Sequence, residues 1–174
     1  MLTTPVTEPS AWKGDQLRGR DDWIYRIPEA AIRDIDAHLA DQRSRGLPLT
    51  EMRKSDFPLP SIAADLAGIL RELEHGRGFV IVRGLPFGRY DDDAIGRIFW
   101  GIGTHLGNAV SQNAQGDLLG HVRDVGGLDY DKMLNVRGYQ TSSELLFHCD
   151  NCDVVGLLCF RKAKSGGLSR ISSS

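Results

Sequence analysis

A chain of 174 residues, 41% hydrophobic and 25% charged, can bury a sizeable core and is too apolar for global disorder. Lys and Arg total 21 and Asp and Glu total 23, so a net charge of −2 carries no basic nucleic-acid footprint. No apolar run reaches the roughly 18 residues of a membrane span, and the start MLTTPVTEPSAWKGD has no apolar leader segment.

Residues 1–20 read as a loose arm and 21–174 as one domain. Trp23–Ile27 reads as a short strand. Pro28 then suits the first turn of a helix over 29–44, striped by Ala31, Ile32, Ile35 and Leu39 and ended by Gly46 and Pro48. The stretch 46–60, with Pro48, Pro58 and Pro60, reads as a connecting loop. A second helix is expected over 61–75, with Ile62, Leu66, Ile69, Leu70 and Leu73 on one face and Gly76 as its cap. Gly78–Arg83 is a β-branched run and predicts a buried strand. Asp91, Asp92 and Asp93 favour a helix start, continued by Ile95, Ile98, Phe99 and Ile102 and stopped by Gly107. Short strands follow at 118–123, 144–149, 153–160 and 168–172, so an α+β front precedes a mostly β back. The chain stops on the start of the last of these, which suggests the front portion of a longer protein.

The sharpest chemistry is Leu145-Leu-Phe-His-Cys-Asp150. On a strand, residues i and i+2 share a face, so His148 and Asp150 can reach one metal ion. They make up two thirds of a 2-His-1-carboxylate triad, which leaves positions open on Fe(II) for a chelating cosubstrate and O2. Taken alone, His-x-Asp is as readily a surface polar pair. Ser165-Gly-Gly-Leu-Ser169 follows a predicted strand and reads as a hairpin turn. It brings Ser169 either to the metal face or to solvent. Gln112, Asn113 and His121 are candidates to line a substrate pocket, though loop amides commonly satisfy backbone. His105 is expected to pack at a helix end, and His38 and His75 to sit on helix surfaces.

Several of these features, in order, resemble the TauD/TfdA family of Fe(II)- and 2-oxoglutarate-dependent dioxygenases. They are Gly78-Phe-Val-Ile-Val-Arg-Gly84, Gly103-Thr-His-Leu-Gly107, Gln112-Asn113, Phe147-His-Cys-Asp150 and Gly166-Gly-Leu-Ser169. The resemblance implies a double-stranded β-helix, the cupin-like jelly roll, with flanking helices. It implies Fe(II) on His148 and Asp150, and a 2-oxoglutarate carboxylate bonded by Ser169. The implied reaction hydroxylates a small organic substrate with O2 and releases succinate and CO2. The family's third ligand, a distal His, and the Arg that pairs the other carboxylate have no counterpart here, because His38, His75, His105 and His121 all precede the motif. The fold is therefore expected to be incomplete at the C-terminus and the chain inactive alone, unless a complementing chain or a homo-oligomer supplies the rest.

Two other classes compete with that reading. One is a non-catalytic remnant or binding module of the same fold. The other is a zinc or redox protein built on Cys149-Asp-Asn-Cys152, with Cys159 nearby. Three clustered cysteines do not make a secreted disulfide framework, so a reduced cytoplasmic setting is expected.

Overall fold

A computed structural model of the chain describes residues 4–122 and 144–173. The elements run α1 (Gly14–Leu17), β1 (Ile24–Arg26), α2 (Glu29–Arg45), α3 (Ala63–His75), β2 (Ile81–Arg83) and α4 (Asp92–Gly103). The chain divides into two compact units, one of Met1–Asn108 with Val154–Ser174 and one of Ala109–Asp153.

In the first unit, β1 and β2 pair in parallel, with Ile24 opposite Ile81, Tyr25 opposite Val82 and Arg26 opposite Arg83. Parallel neighbours need a long crossover, and α2, the proline-rich connector and α3 provide it. The helices form where the apolar spacing predicts them. Pro28 flanks α2, and its carbonyl accepts the N–H groups of Ala31 and Ile32. Gly46 closes α2 in the left-handed conformation, at φ 60°. Asp91 caps α4 by accepting the Ala94 N–H at 2.8 Å.

The core joins Ala31, Ile32, Ile35 and Leu39 of α2 to Leu66 and Ile69 of α3 and Ala94 and Ile98 of α4. Its centre comes from the connector. Met52, Phe57 and Leu59 are buried there, although the connector reads from sequence as a plain loop. Three short 3-10 turns, at Leu49–Glu51, Lys54–Asp56 and Pro60–Ile62, fold it inward. Buried carbonyls without a ladder need other donors. Gln42 donates to Asp56 O at 2.8 Å, Arg97 to Leu47 O at 2.7 Å and Trp100 to Met52 O at 2.9 Å. Gly101 sits against the Phe57 ring so closely that any Cβ there would overlap it. That glycine lets α4 approach the connector.

Three expectations are corrected. The strand at Gly78–Arg83 shortens to Ile81–Arg83 and is exposed rather than buried, because β1 is its only ladder partner and no layer covers its outer face among the described residues. Gly76 ends α3 without the left-handed geometry of a glycine cap, at φ −102°. The described parts of 118–123, 144–149, 153–160 and 168–172 carry no strand. Leu146, Leu157 and Leu168 there are 85%, 74% and 87% exposed. An apolar run without a hydrogen-bonded neighbour gains neither ladder bonds nor burial, so its β pattern is not realised.

Within the segment read as a loose arm, the Trp12 indole donates to Arg77 O at 2.9 Å and its ring meets Phe79 edge-on. The 154–173 stretch lies on the same unit. Phe160 faces Phe87, Arg161 reaches Asp92 at 3.6 Å and the Ser173 hydroxyl donates to Ser10 O at 2.6 Å. Among the described residues, no helix is long and apolar enough to cross a membrane.

Candidate metal centre

The His148–Asp150 pair belongs to the second unit, in a segment whose described residues form neither helix nor strand. His148 Nδ1 lies 2.7 Å from the Leu146 carbonyl oxygen. A carbonyl only accepts, so this bond puts the ring proton on Nδ1. In the neutral ring, Nε2 then keeps its lone pair, the form an imidazole needs to bind a metal. The orienting carbonyl is the contributor that motif reading missed, because a backbone acceptor is offered by any residue type at position 146.

His148 Nε2 stands 3.8 Å from Asp150 Oδ1, with the two side chains 56% and 55% exposed. A neutral Nε2 and a carboxylate oxygen are both acceptors, so they make no hydrogen bond to each other, and both lone pairs are open to water or to a metal ion. With bonds of about 2.0–2.2 Å, two donors at adjacent positions of one octahedral ion stand about 3 Å apart, and opposite ones no more than about 4.0–4.4 Å. At 3.8 Å the pair stands slightly open, and a turn of the exposed Asp150 carboxylate toward Nε2 would bring both donors onto one ion. The donor set, one imidazole nitrogen and one carboxylate oxygen, suits Fe(II). It supplies two ligands, and no group of three His, Cys, Asp or Glu side chains converges among the described residues.

The structure brings His148 and Asp150 together and assigns Ser169 to the other unit. Ser169 is exposed and follows Gly166 and Gly167, whose φ values are 69° and 67°. A two-residue hairpin turn of type I′ needs positive φ at both central positions, which these glycines have, but the chain bends at Lys164–Ser165 instead and no flanking ladder forms among the described residues. Asn113 is committed locally: its amide donates to Asp117 Oδ2 at 2.6 Å and its oxygen accepts the N–H groups of Gln115 and Asp117. Gln112 donates to Val110 O at 2.8 Å. Both amides therefore serve their own turn, the plainer of the two roles open to them. His121 is exposed in the second unit. His105 meets Phe57 O at 2.8 Å at the end of α4, a packing role as expected. His75 is exposed, while His38 is half-buried against the Phe57 ring. Cys149, Cys152 and Cys159 are exposed thiols, and no zinc-type cluster forms among the described residues.

Comparison with known proteins settles the ancestry. The model of the family described as "Taurine catabolism dioxygenase TauD, TfdA family" matches residues 44–174. The chain belongs to the TauD/TfdA family. That match takes in His148, Asp150 and Ser169 and brings with it the family's cupin-type jelly roll. One relative in the family's range is FR-33289 synthase of Streptomyces rubellomurinus (strain ATCC 31215), 31% identical over 100% of this chain and 51% of its own length. Another is the taurine hydroxylase-like protein SAT17 of Stachybotrys chartarum (strain CBS 109288 / IBT 7711), 28% identical over 99% of this chain and 46% of its own length. The chain thus spans about half the length of these relatives.

Proposed function

We propose that residues 1–174 supply the front half of an Fe(II)- and 2-oxoglutarate-dependent dioxygenase of the reduced cytoplasm. It hydroxylates a small organic substrate and releases succinate and CO2. The observation that carries this is the His148–Asp150 pair: a family-matched imidazole with its proton held on Nδ1, and a carboxylate 3.8 Å from the other nitrogen. His148 would hold the ion through Nε2 and Asp150 through Oδ1, while the Leu146 carbonyl keeps the ring in the ligating tautomer. The Ser169 hydroxyl would donate to a carboxylate of 2-oxoglutarate. Bound there, Fe(II) with its cosubstrate and O2 supplies the oxidising power that an unactivated C–H bond requires. The distal His and the Arg are assigned to the part of the family's length that these residues do not span.

Direct metal titration tests the assignment. Under anaerobic conditions, Fe(II) is expected to bind, and His148→Ala and Asp150→Ala are each expected to weaken binding at least tenfold. Affinity unchanged in both variants would overturn it. The 174-residue chain by itself is expected to release no succinate from 2-oxoglutarate, because two ligands hold a labile ion weakly and the distal carboxylate lacks its bidentate Arg. Metal binding without succinate release even in a chain that carries the distal His and Arg would favour a non-catalytic binding module of the same fold.

A further inference from the structure

We propose that Cys149 and Cys152 form a modification site: a hydroperoxide closes them to a disulfide, and closure disarms the His148–Asp150 pair. The modification stands on the cysteines alone; its effect on the pair rests on the dioxygenase reading above.

Both thiols are exposed, and two residues separate them. The backbone bends over Asn151–Asp153, and neither helix nor strand holds the segment. A disulfide spans about 4.4–6.8 Å between Cα atoms, so bridging asks residues 149–152 to close into a four-residue turn, whose ends come within about 7 Å. Closing the ring therefore needs only local rotation, with no ladder or helix to break. Cys159 is also exposed but belongs to the other unit, which makes it an internal control.

The chemistry balances without an outside reductant. One thiolate attacks an oxygen of the hydroperoxide and breaks the O–O bond; the sulfur becomes a sulfenic acid and the leaving oxygen takes a proton. The second thiol then attacks that sulfur, forms the S–S bond and expels the hydroxyl as water. Two thiols lose two electrons and two protons. With hydrogen peroxide as oxidant, the products are the disulfide and two waters. A thiol reductant reverses it, as suits a regulatory disulfide in a reducing compartment.

The consequence follows from what lies inside the ring. Asp150 is one of its four residues, and His148 stands just outside it. Closure fixes the backbone torsions at Asp150, and those torsions aim its carboxylate. The pair stands at 3.8 Å, and two adjacent donors on one ion stand about 3 Å apart, so binding needs the Asp150 carboxylate to swing toward His148. A ring that fixes the torsions at Asp150 holds that swing back.

The test treats the protein with hydrogen peroxide in the absence of metal, removes the oxidant with catalase, and then titrates Mn(II). Mn(II) prefers oxygen and nitrogen donors, so it does not report thiolates. Tandem mass spectrometry is expected to find Cys149 joined to Cys152 with the loss of two hydrogens, and Cys159 still reduced. Mn(II) affinity is expected to fall at least tenfold on oxidation and to return with dithiothreitol. Cys152→Ser, and independently Cys149→Ser, should keep full affinity after the same treatment. Overoxidised or unchanged thiols at 149 and 152, or a mapped disulfide that leaves Mn(II) affinity unaltered, would overturn the inference and leave the dioxygenase reading intact. Failure of that reading has its own mark: the fully reduced protein would bind no Mn(II), and the control of metal binding would fall with it.

Discussion

Ile35 and Phe57 are fully buried, whereas Leu146 and Leu168 are 85% and 87% exposed, although all four are large apolar side chains. The first pair lies among α2, the connector, α3 and α4. The second lies in the segments that carry the family's site motif and its Gly-Gly turn. A helix satisfies its own backbone, so an apolar stripe needs only one surface to pack on. A strand needs a neighbour's backbone before its side chains can bury anything. Among the described residues, the helical stretch has found its partners and the motif-bearing stretches have no ladder. Stability and chemistry are therefore separated along this chain, and substitutions should sort accordingly.

The largest effect is expected at Phe57, fully buried at the centre of the core. Phe57→Ala should cost about 3–5 kcal/mol of stability, read as a lower urea midpoint. A loss under about 1 kcal/mol would mean that the connector is not the keystone of the helical unit. Gly101→Ala comes next. Its Cβ would overlap the Phe57 ring, and overpacking of this kind costs about 1–3 kcal/mol. Because the two sites touch, they should couple: Phe57→Leu in the Gly101→Ala background should cost less than in the parent. Strict additivity would break the proposed contact.

A smaller effect is expected in acid. The Arg20 hydrogen bond holds the Asp22 carboxyl down to about 2. The Ala94 N–H, and then Arg43, hold Asp91 below the usual carboxylate range; the Arg53 N–H, and then Arg45, do so for Asp56. A carboxyl lowered in the folded state binds fewer protons there than in the unfolded chain. Its stabilisation is complete above the unfolded value of about 4 and is lost as pH falls through the folded value. The melting temperature should therefore hold steady above pH 5 and fall progressively from about pH 4 to pH 2. Asp91→Ala should lower the melting temperature at neutral pH and flatten the acid limb, since it removes both the α4 cap and a titrating group. All three carboxyls meet solvent, so screening keeps each contribution modest. An acid limb unchanged in Asp91→Ala would assign it to other groups.

The helices were legible because their information is local: Ile32, Ile35 and Leu39 repeat at helical spacing, and Asp91 is a cap in sequence and in structure. The connector was not, because Met52, Phe57 and Leu59 have no period. Their burial depends on donors from Gln42, Arg97 and Trp100, which lie outside the connector. The candidate pair was legible as a motif: two residues apart in a segment that is neither helix nor strand, His148 and Asp150 come within 3.8 Å without a ladder. The positive φ at Gly166 and Gly167 was legible for the same local reason. The strands expected around both do not form among the described residues, since β pairing is decided between distant segments and periodicity says only which faces would be apolar.

The smallest expected effect makes the sharpest test of that separation. Leu146→Ala removes a large apolar side chain, as Phe57→Ala does, yet its side chain is 85% exposed. With little burial to lose, it should change the stability of the 174-residue chain by no more than about 0.5 kcal/mol. The Leu146 carbonyl that orients His148 is backbone and survives the substitution, so Mn(II) affinity should hold as well. His148→Ala should be equally silent in unfolding while abolishing that affinity, because its ring is more than half exposed. A Leu146→Ala chain destabilised as strongly as Phe57→Ala would mean that Leu146 occupies a packed strand. The motif would then belong to the core, and the two regions would fold as one.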